Sequence, residues 1–332
     1  MGTAVSNALR DLVPIILHAP ATEAARDHWL ERIWTAFQED EMPYIESIAD
    51  QWGALCVTRE RASGWADTLL PPLKLSWSEP RGQGGYFRGT SACLSCLLQA
   101  RRFDELLELL DRAPFIFWHH HRFGALALAA MGRTDEAIAY AERSVGLNGS
   151  AQEMADVCES ILLSAGRSEE AFQRYALLAS QRSTGLTTFQ TLARKYPSRD
   201  KVAILADLVT STPGEEGRWF ATAKAIGLLE QAIELARRSP CDPKTLNRAA
   251  RDHQEKEPRF ALEAALLALK WLAEGYGYEV STLDVHEALG YALKTGASLG
   301  LQAETRARIL ALSAPGASCD PTIRTMLTRV LG

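Results

Sequence analysis

The sequence predicts an all-α protein built from stacked pairs of helices, and three observations carry this prediction. The string GRTDEA at Gly132 to Ala137 returns as GRSEEA at Gly166 to Ala171, an offset of 34 residues (166 − 132 = 34) that is typical of helix-pair repeats. Apolar residues recur at three- and four-residue spacings, as in amphipathic helices, and no convincing strand alternation is present. We therefore expect a right-handed α-solenoid of antiparallel helix pairs, regular in the middle and irregular at both ends.

Helices are also expected outside the repeated strings. The segment Ala24 to Gln38 carries one apolar stripe, and Asp104 to Arg112 carries leucines at helical spacing before Pro114 ends the helix. Asp242-Pro243 is an N-cap followed by proline at the first helical position. Breaks such as Pro71-Pro72 are expected to divide the chain into pieces one or two helices long.

The repeated strings define two helix pairs and two flanking ones. Gly132 and Gly166 are expected in a left-handed C′ conformation that ends helix A, and the alanine five residues later lets helix B approach closely. Residues 1–89, 90–212 and 213–332 are then an N-terminal helical region, the repeats and a C-terminal helical region. The predicted helices around the repeats are Arg101–Asp111, Trp118–Met131, Thr134–Val145, Gln152–Ala165, Ser168–Leu178, Thr187–Tyr196 and Asp200–Val209.

Composition restricts the class of partner. The chain has 332 residues, 47% hydrophobic and 23% charged, with a net charge of −5, so nucleic acid and anionic membranes are disfavoured as partners. Six cysteines in this length indicate a reducing compartment rather than a disulfide scaffold. No signal peptide or membrane span is expected, and we expect a cytoplasmic protein of bacterial type.

The repeated strings resemble the tetratricopeptide repeat, whose loop and second helix read G-x-x-x-x-A-x-x-x-[AFY]. The matching residues are Gly132, Ala137 and Ala141 in one unit, and Gly166, Ala171 and Tyr175 in the next. The chain departs from the pattern where His121 and Ala155 replace a large aromatic residue, where Glu159 stands at a small position, and where Gly149 lies near the missing closing proline. The chain also resembles an uncharacterised family of bacterial helical-repeat proteins, which implies no activity.

The resemblance implies a concave groove lined by the first helix of each pair. Such a groove would bind a protein or peptide segment through hydrogen bonds and charge matching. Solvation alone is the competing interpretation of these polar positions. The implied groove residues are His119, Arg122, Leu126, Glu153, Asp156 and Ser160.

Other strings are candidates for ligand contacts. The loop Gly82 to Gly85 is flanked by Arg81, Tyr86 and Arg88; its backbone amides could hold an anion, although a mobile surface loop is the simpler interpretation. Three histidines stand together at His119 to His121. Tyr276 and Tyr278, flanked by glycines, suggest an exposed corner, whereas most other aromatic residues, Phe115 and Phe117 among them, are interpreted as core.

No metal or cofactor is predicted. Cys93, Cys96 and His121 are weak candidates for a metal site, but a zinc site of this kind needs a second cysteine pair. No nucleophile elbow or HExxH motif occurs. The sequence therefore favours a peptide-binding adaptor over an enzyme. The alternative is an α-solenoid enzyme or small-ligand-binding protein with a site near the Arg81–Arg88 loop and the His119–His121 cluster.

Overall fold

The computed structural model describes residues 2–41, 44–78, 86–314 and 316–331. Within these ranges all regular secondary structure is helical, apart from two isolated β-bridges at Phe117. The predicted all-α class is confirmed. The chain forms two compact units, Met1–Ala179 and Ser180–Gly332, while the three predicted regions remain a prediction.

The first unit consists of eleven α-helices, a 3₁₀ segment and a π-helical segment in its described residues. Where the sequence predicts bounds for a helix of this unit, the structure matches them within about two residues at each end. They are α1 (Gly2–His18), α2 (Glu23–Glu39), the 3₁₀ segment (Glu46–Gln51), α3 (Trp52–Leu55), α4 (Arg59–Ser78), α5 (Thr90–Gln99), α6 (Phe103–Asp111), α7 (Trp118–Ala130), α8 (Thr134–Arg143), α9 (Ala151–Ser164), α10 (Ser168–Ala171), the π segment (Phe172–Ala176) and α11 (Leu177–Ala179).

The second unit is also helical throughout its described residues. The N-cap predicted at Asp242 is confirmed, because its carboxylate accepts the Thr245 N–H at 2.9 Å. The helices are α12 (Gly185–Lys195), α13 (Lys201–Thr210), a 3₁₀ segment (Glu216–Trp219), α14 (Phe220–Ala225), α15 (Leu229–Arg238), α16 (Pro243–His253), α17 (Pro258–Ala273), α18 (Thr282–Ser298), α19 (Gln302–Leu312) and α20 (Pro321–Leu331).

One helix–turn–helix geometry recurs in the first unit. Arg101, Gly132 and Gly166 each have positive φ, and the next residue donates its N–H to the carbonyl five residues earlier, as in a Schellman turn. The turn at Arg101 has the same geometry as the other two, although arginine stands where they have glycine. The three bonds run from Arg102 to Leu97 (2.9 Å), from Arg133 to Leu128 (3.0 Å) and from Arg167 to Leu162 (2.8 Å).

The second unit uses the same turn where the sequence motif is absent. Gly227 and Gly300 have φ of +84° and +71°. Leu228 donates to the Ala223 carbonyl at 2.9 Å, and Leu301 donates to Gly296 at 2.7 Å. The same turn conformation therefore also occurs outside the two places where the sequence string is repeated.

Helices of the first unit pack in a regular order. The 3₁₀ segment and α3 contact α5, α5 contacts α7, and α7 contacts α9, while α4, α6 and α8 lie against the helices that follow them. At the N-terminal end the buried Trp52 ring meets Trp34 and Trp65 edge-on, with both centroids 5.1 Å away. Edge-to-face aromatic packing adds to the apolar burial there.

The break expected at Pro71-Pro72 is wrong, because both prolines lie inside α4. The buried residues of this helix continue on both sides of the prolines as Leu69, Leu70 and Leu73. Burial of this apolar face stabilises the helix by more than the two missing backbone hydrogen bonds cost.

Candidate functional site

A half-open cleft of about 750 Å³ lies in the first unit. It is bounded by the 3₁₀ segment and by the first residues of α5 and α7, the same helices that contact one another in sequence. Four loops complete it, and the whole lining is formed by Tyr44, Glu46, Ser47, Ala49, Asp50, Tyr86, Phe87, Arg88, Thr90, Ser91, Phe115, Phe117, His119, His120 and Asn148. We call this feature the aromatic cleft.

Five aromatic side chains give the cleft its apolar character, and two of them are exposed. Tyr86 is 77% exposed and Phe115 is 40% exposed. The apolar side chains of Ile116 and Leu147 are exposed beside them. Contiguous exposed apolar surface of this kind marks binding sites more often than inert surface.

The loop that carries Phe115 and Phe117 is fixed by the turn between α8 and α9. The Leu147 N–H donates to the Ile116 carbonyl at 2.8 Å, and Phe117 forms isolated bridges with Gly146 and Leu147. The interpretation of Phe115 as a core residue is therefore wrong. Its loop is tied down by backbone pairing, so the ring can project at the surface.

Arg88 fixes the opposite wall to α2. Its guanidinium donates to the carbonyls of Asp40 (2.6 Å) and Gln38 (3.3 Å), and it lies 3.6 Å from the Asp40 carboxylate. The same group sits 4.8 Å from the centre of the Phe37 ring. Arg88 lines the cleft, but both of its terminal nitrogens already donate to carbonyls of the protein.

The polar floor is held by a short hydrogen-bonded chain. The Ser95 hydroxyl of α5 donates to the Asp50 carbonyl and accepts the Gly53 N–H, both at 3.0 Å. The Asp50 carboxylate pairs with Arg122 of α7 at 2.7 Å. Glu46 is exposed and has no ion-pair partner among the described residues, so the cleft keeps one uncompensated carboxylate.

His119 and His120 both line the cleft, and the pKa of each imidazole is lowered. The ring centroids of His119 and His120 lie 4.0 Å apart. Burial, together with the neighbouring His119, His121 and Arg122, lowers the pKa of His120 to about 3. The pKa of His119 is also lowered, chiefly because the ring is partly buried, although the charge of Asp50 acts in the opposite direction. Both rings are neutral at pH 7, and each then offers one donor and one acceptor.

The depressed pKa of His120 makes stability fall in acid. Below pH 6.5 the unfolded chain binds a proton that the folded chain excludes down to about pH 3, so unfolding becomes easier as the pH falls through this window. Between pH 6.5 and 5.5 we expect His120 to account for about 1 kcal/mol of lost stability. Denaturant titrations of wild type and His120→Asn at several pH values measure this; equal pH slopes in the two proteins would contradict the assignment.

The predicted groove residues divide between several places. His119 lines the aromatic cleft, and Arg122 supports it through Asp50. Leu126 instead lines a shallower depression beside Leu98 and Arg101. The remaining three lie on α9, where the Glu153 carboxylate accepts the Ser150 N–H in a capping box and Asp156 and Ser160 are exposed.

The secondary candidates also divide. Tyr86 and Arg88 line the aromatic cleft, whereas Arg81 and Gly82 to Gly85 lie outside the described residues. In the second unit Tyr276 packs edge-on against Trp271 with centroids 5.3 Å apart, and Tyr278 is exposed.

The three weak candidates for a metal site do not form one. Cys93 and Cys96 are buried in α5, and burial raises the pKa of both thiols, that of Cys93 to about 12. The buried His121 shares a hydrogen bond of 2.7 Å with the Tyr140 hydroxyl through Nδ1. Over the described ranges, no three His, Cys, Asp or Glu side chains lie together as metal ligands would.

Several cleft residues carry no sequence signal of their own. Tyr44, Glu46 and Asp50 precede the recognisable repeats, and only the packing of the 3₁₀ segment against α5 brings them to the site. The sequence feature that could have pointed to this cleft is the string PFIFW at Pro114 to Trp118. Aromatic residues placed together in a loop between helices indicate an exposed apolar patch, and such patches mark binding sites.

Comparisons with known proteins found no protein family whose profile matches this chain. No curated protein matches it either. Among the helices of the described residues, none combines the length and the apolar character needed to cross a lipid bilayer.

Proposed function

We propose that the protein is a cytoplasmic adaptor of bacterial type that binds an extended peptide segment of a partner protein in the aromatic cleft. In this proposal the helix pairs are antiparallel and stack as a right-handed, tetratricopeptide-like α-solenoid. The order of contacts in the first unit supports it, because α3, α5, α7 and α9 touch in sequence. In such a stack the first helix of each pair lines the inner wall, and the N-terminal residues of neighbouring first helices face the ligand together.

The observation that carries the proposal is the exposed aromatic wall. Tyr86, Phe115 and Phe117 line a cleft that continues onto the exposed Ile116 and Leu147. A bulky apolar side chain of a peptide could insert among these rings, while its neighbours extend along the apolar rim. Buried aromatic anchors of this type commonly supply most of the binding energy of an interface.

Charge suggests which residue accompanies that anchor. Arg122 neutralises Asp50, and Arg88 is engaged with Asp40, but Glu46 has no ion-pair partner in the described part of the chain. The two histidines add no positive charge at pH 7, since their pKa values are lowered. A lysine or arginine of the peptide would pair with Glu46 and could lie over a cleft aromatic ring.

A small aromatic amine is the second candidate ligand. The volume of about 750 Å³ lies within the range of roughly 300–1,000 Å³ that small-molecule sites occupy. Perturbed histidines in such a cleft are also common at ligand sites. This candidate corresponds to the alternative of a small-ligand-binding protein near the histidine cluster.

Selection from a displayed library of random peptides tests the proposal. We expect enrichment of peptides with a bulky apolar residue beside lysine or arginine. The enriched peptide should bind Glu46→Lys at least tenfold more weakly and Phe117→Ala roughly 30-fold more weakly, since a buried anchor contributes about 2 kcal/mol. Fluorescence anisotropy of the labelled peptide measures both.

Glu60→Lys is the matched control, because Glu60 is exposed on α4 and does not line the cleft. It changes the net charge by the same amount and should leave affinity nearly unchanged. Equal binding by the Glu46 and Glu60 variants would remove the proposed charge contact. If no peptide is enriched and a small aromatic amine raises the melting temperature of wild type but not of Phe117→Ala, the second candidate is favoured instead.

A further inference from the structure

A second cleft, of about 890 Å³, lies within the second unit. It is formed by residues 251–258, at the turn between α16 and α17, and by residues 291–298 of α18. We call it the polar cleft. Charged and hydroxyl-bearing side chains dominate its lining, in contrast to the aromatic cleft.

Two polar atoms in the lining are buried without a partner. Thr295 is 2% exposed, and its Oγ1 makes no hydrogen bond among the described residues. A helical threonine commonly bonds the carbonyl one turn earlier, and this one does not. Oε1 of Gln254 is buried and unpaired in the same way. Such groups are costly unless something pairs with them, and both residues line the cleft.

The charges around these atoms favour an anion with attached hydroxyl groups. Three cations line the cleft, Arg251, Lys256 and Lys294, against the carboxylates of Asp252 and Glu255. Asp252 is held by Arg251 at 2.8 Å, whereas Lys256 and Lys294 have no ion-pair partner in the described ranges. An excess of cations here stands out in a chain whose net charge is −5.

The N-terminus of α17 also favours an anion in the polar cleft. Pro258, its first residue, lines the cleft, and no side chain caps this end of the sixteen-residue helix. The N–H groups of a first helical turn and the helix dipole both favour a nearby negative charge.

We propose that the polar cleft binds a sugar phosphate. The two lysines contact the phosphate oxygens, and the Glu255 carboxylate accepts hydrogen bonds from the sugar hydroxyls. Oγ1 of Thr295 and Oε1 of Gln254 are closed to solvent without the ligand, and rotation of these two lining side chains brings them to the phosphate and to the sugar. The site is independent of the aromatic cleft and of the function proposed for it, since all its residues belong to the second unit.

Calorimetric titration with glucose 6-phosphate, inorganic phosphate and glucose tests this proposal at constant ionic strength. We expect glucose 6-phosphate to bind most tightly, inorganic phosphate more weakly and glucose weakest. The double variant Lys256→Gln, Lys294→Gln should raise the Kd for glucose 6-phosphate about tenfold or more, because each charge-assisted hydrogen bond contributes substantially. Arg238→Gln, Arg306→Gln is the matched control, since it changes the charge equally and neither residue lines the cleft.

Thr295→Val separates a ligand contact from a structural role. Removing an unpaired buried hydroxyl should raise the melting temperature by a few degrees, yet weaken glucose 6-phosphate binding several-fold. Opposite changes in stability and affinity would support the site. Absence of binding to wild type, or equal affinity in wild type and both lining variants, would overturn it.

Discussion

Replacing Gly53 with alanine is expected to lower the free energy of unfolding by about 3 kcal/mol. A Cβ atom at this position would overlap the Ser95 carbonyl oxygen and stand 2.6 Å from the carbonyl carbon and 2.9 Å from the Gln99 Cβ. Since two of these atoms belong to the α5 backbone, no side-chain rotation relieves the overlap. The Gly53 N–H bond to the Ser95 hydroxyl would be disturbed as well. Denaturant unfolding followed by circular dichroism measures the loss.

Gly64→Ala is the control for this prediction. Gly64 lies in α4, and a Cβ atom there meets nothing within 4 Å. The same chemical change should therefore stabilise the helix by about 0.5–1 kcal/mol. If both alanine variants had the same stability, the close approach of α3 to α5 would be incorrect. That approach positions Asp50 beside Arg122, so the aromatic cleft depends on it.

Gly146→Ala is expected to cost about 3 kcal/mol and to abolish peptide binding. Gly146 has φ of +51°, which costs an L-residue about 1–2 kcal/mol, and its new Cβ would overlap the Ile116 carbonyl oxygen. That oxygen accepts the Leu147 N–H. Alanine would therefore release the loop that carries Phe115 and Phe117. Unfolding titrations and peptide anisotropy measure the two effects.

The comparison with Gly132→Ala isolates the overlap from the backbone conformation. Gly132 has φ of +79°, but a Cβ atom there meets nothing within 4 Å. This variant should lose only about 1–2 kcal/mol and keep its affinity for the peptide. Retained peptide binding by Gly146→Ala would mean that the loop pairing does not hold the aromatic wall.

The fold class could be predicted from the sequence because helix pairs leave local marks. A glycine with positive φ, with an alanine five residues later, recurs at the α7–α8 and α9–α10 turns. The copy at Arg101 could not be found in this way, because a non-glycine residue adopts the same positive φ there. The continuous helix through Pro71 and Pro72 was also hidden, since tertiary burial rather than local propensity sustains it.

The candidate site was less predictable because its parts are far apart in sequence. The resemblance to the tetratricopeptide repeat predicted His119 and Arg122 together, and both contribute to the cleft, His119 in its lining and Arg122 through Asp50. Glu46 and Asp50 reach the same cleft only through the contact of the 3₁₀ segment with α5. A 3₁₀ segment of six residues has too short a pattern for its buried face to be recognised.

Hydrogen–deuterium exchange with the selected peptide tests the central claim most directly. If the aromatic cleft is the binding site, the peptide should slow amide exchange in three separated segments, residues 46–51, 86–91 and 115–122. It should leave exchange in the second unit unchanged. Protection confined to α9, or protection absent from these three segments at saturating peptide, would contradict the assignment of the cleft as the binding surface.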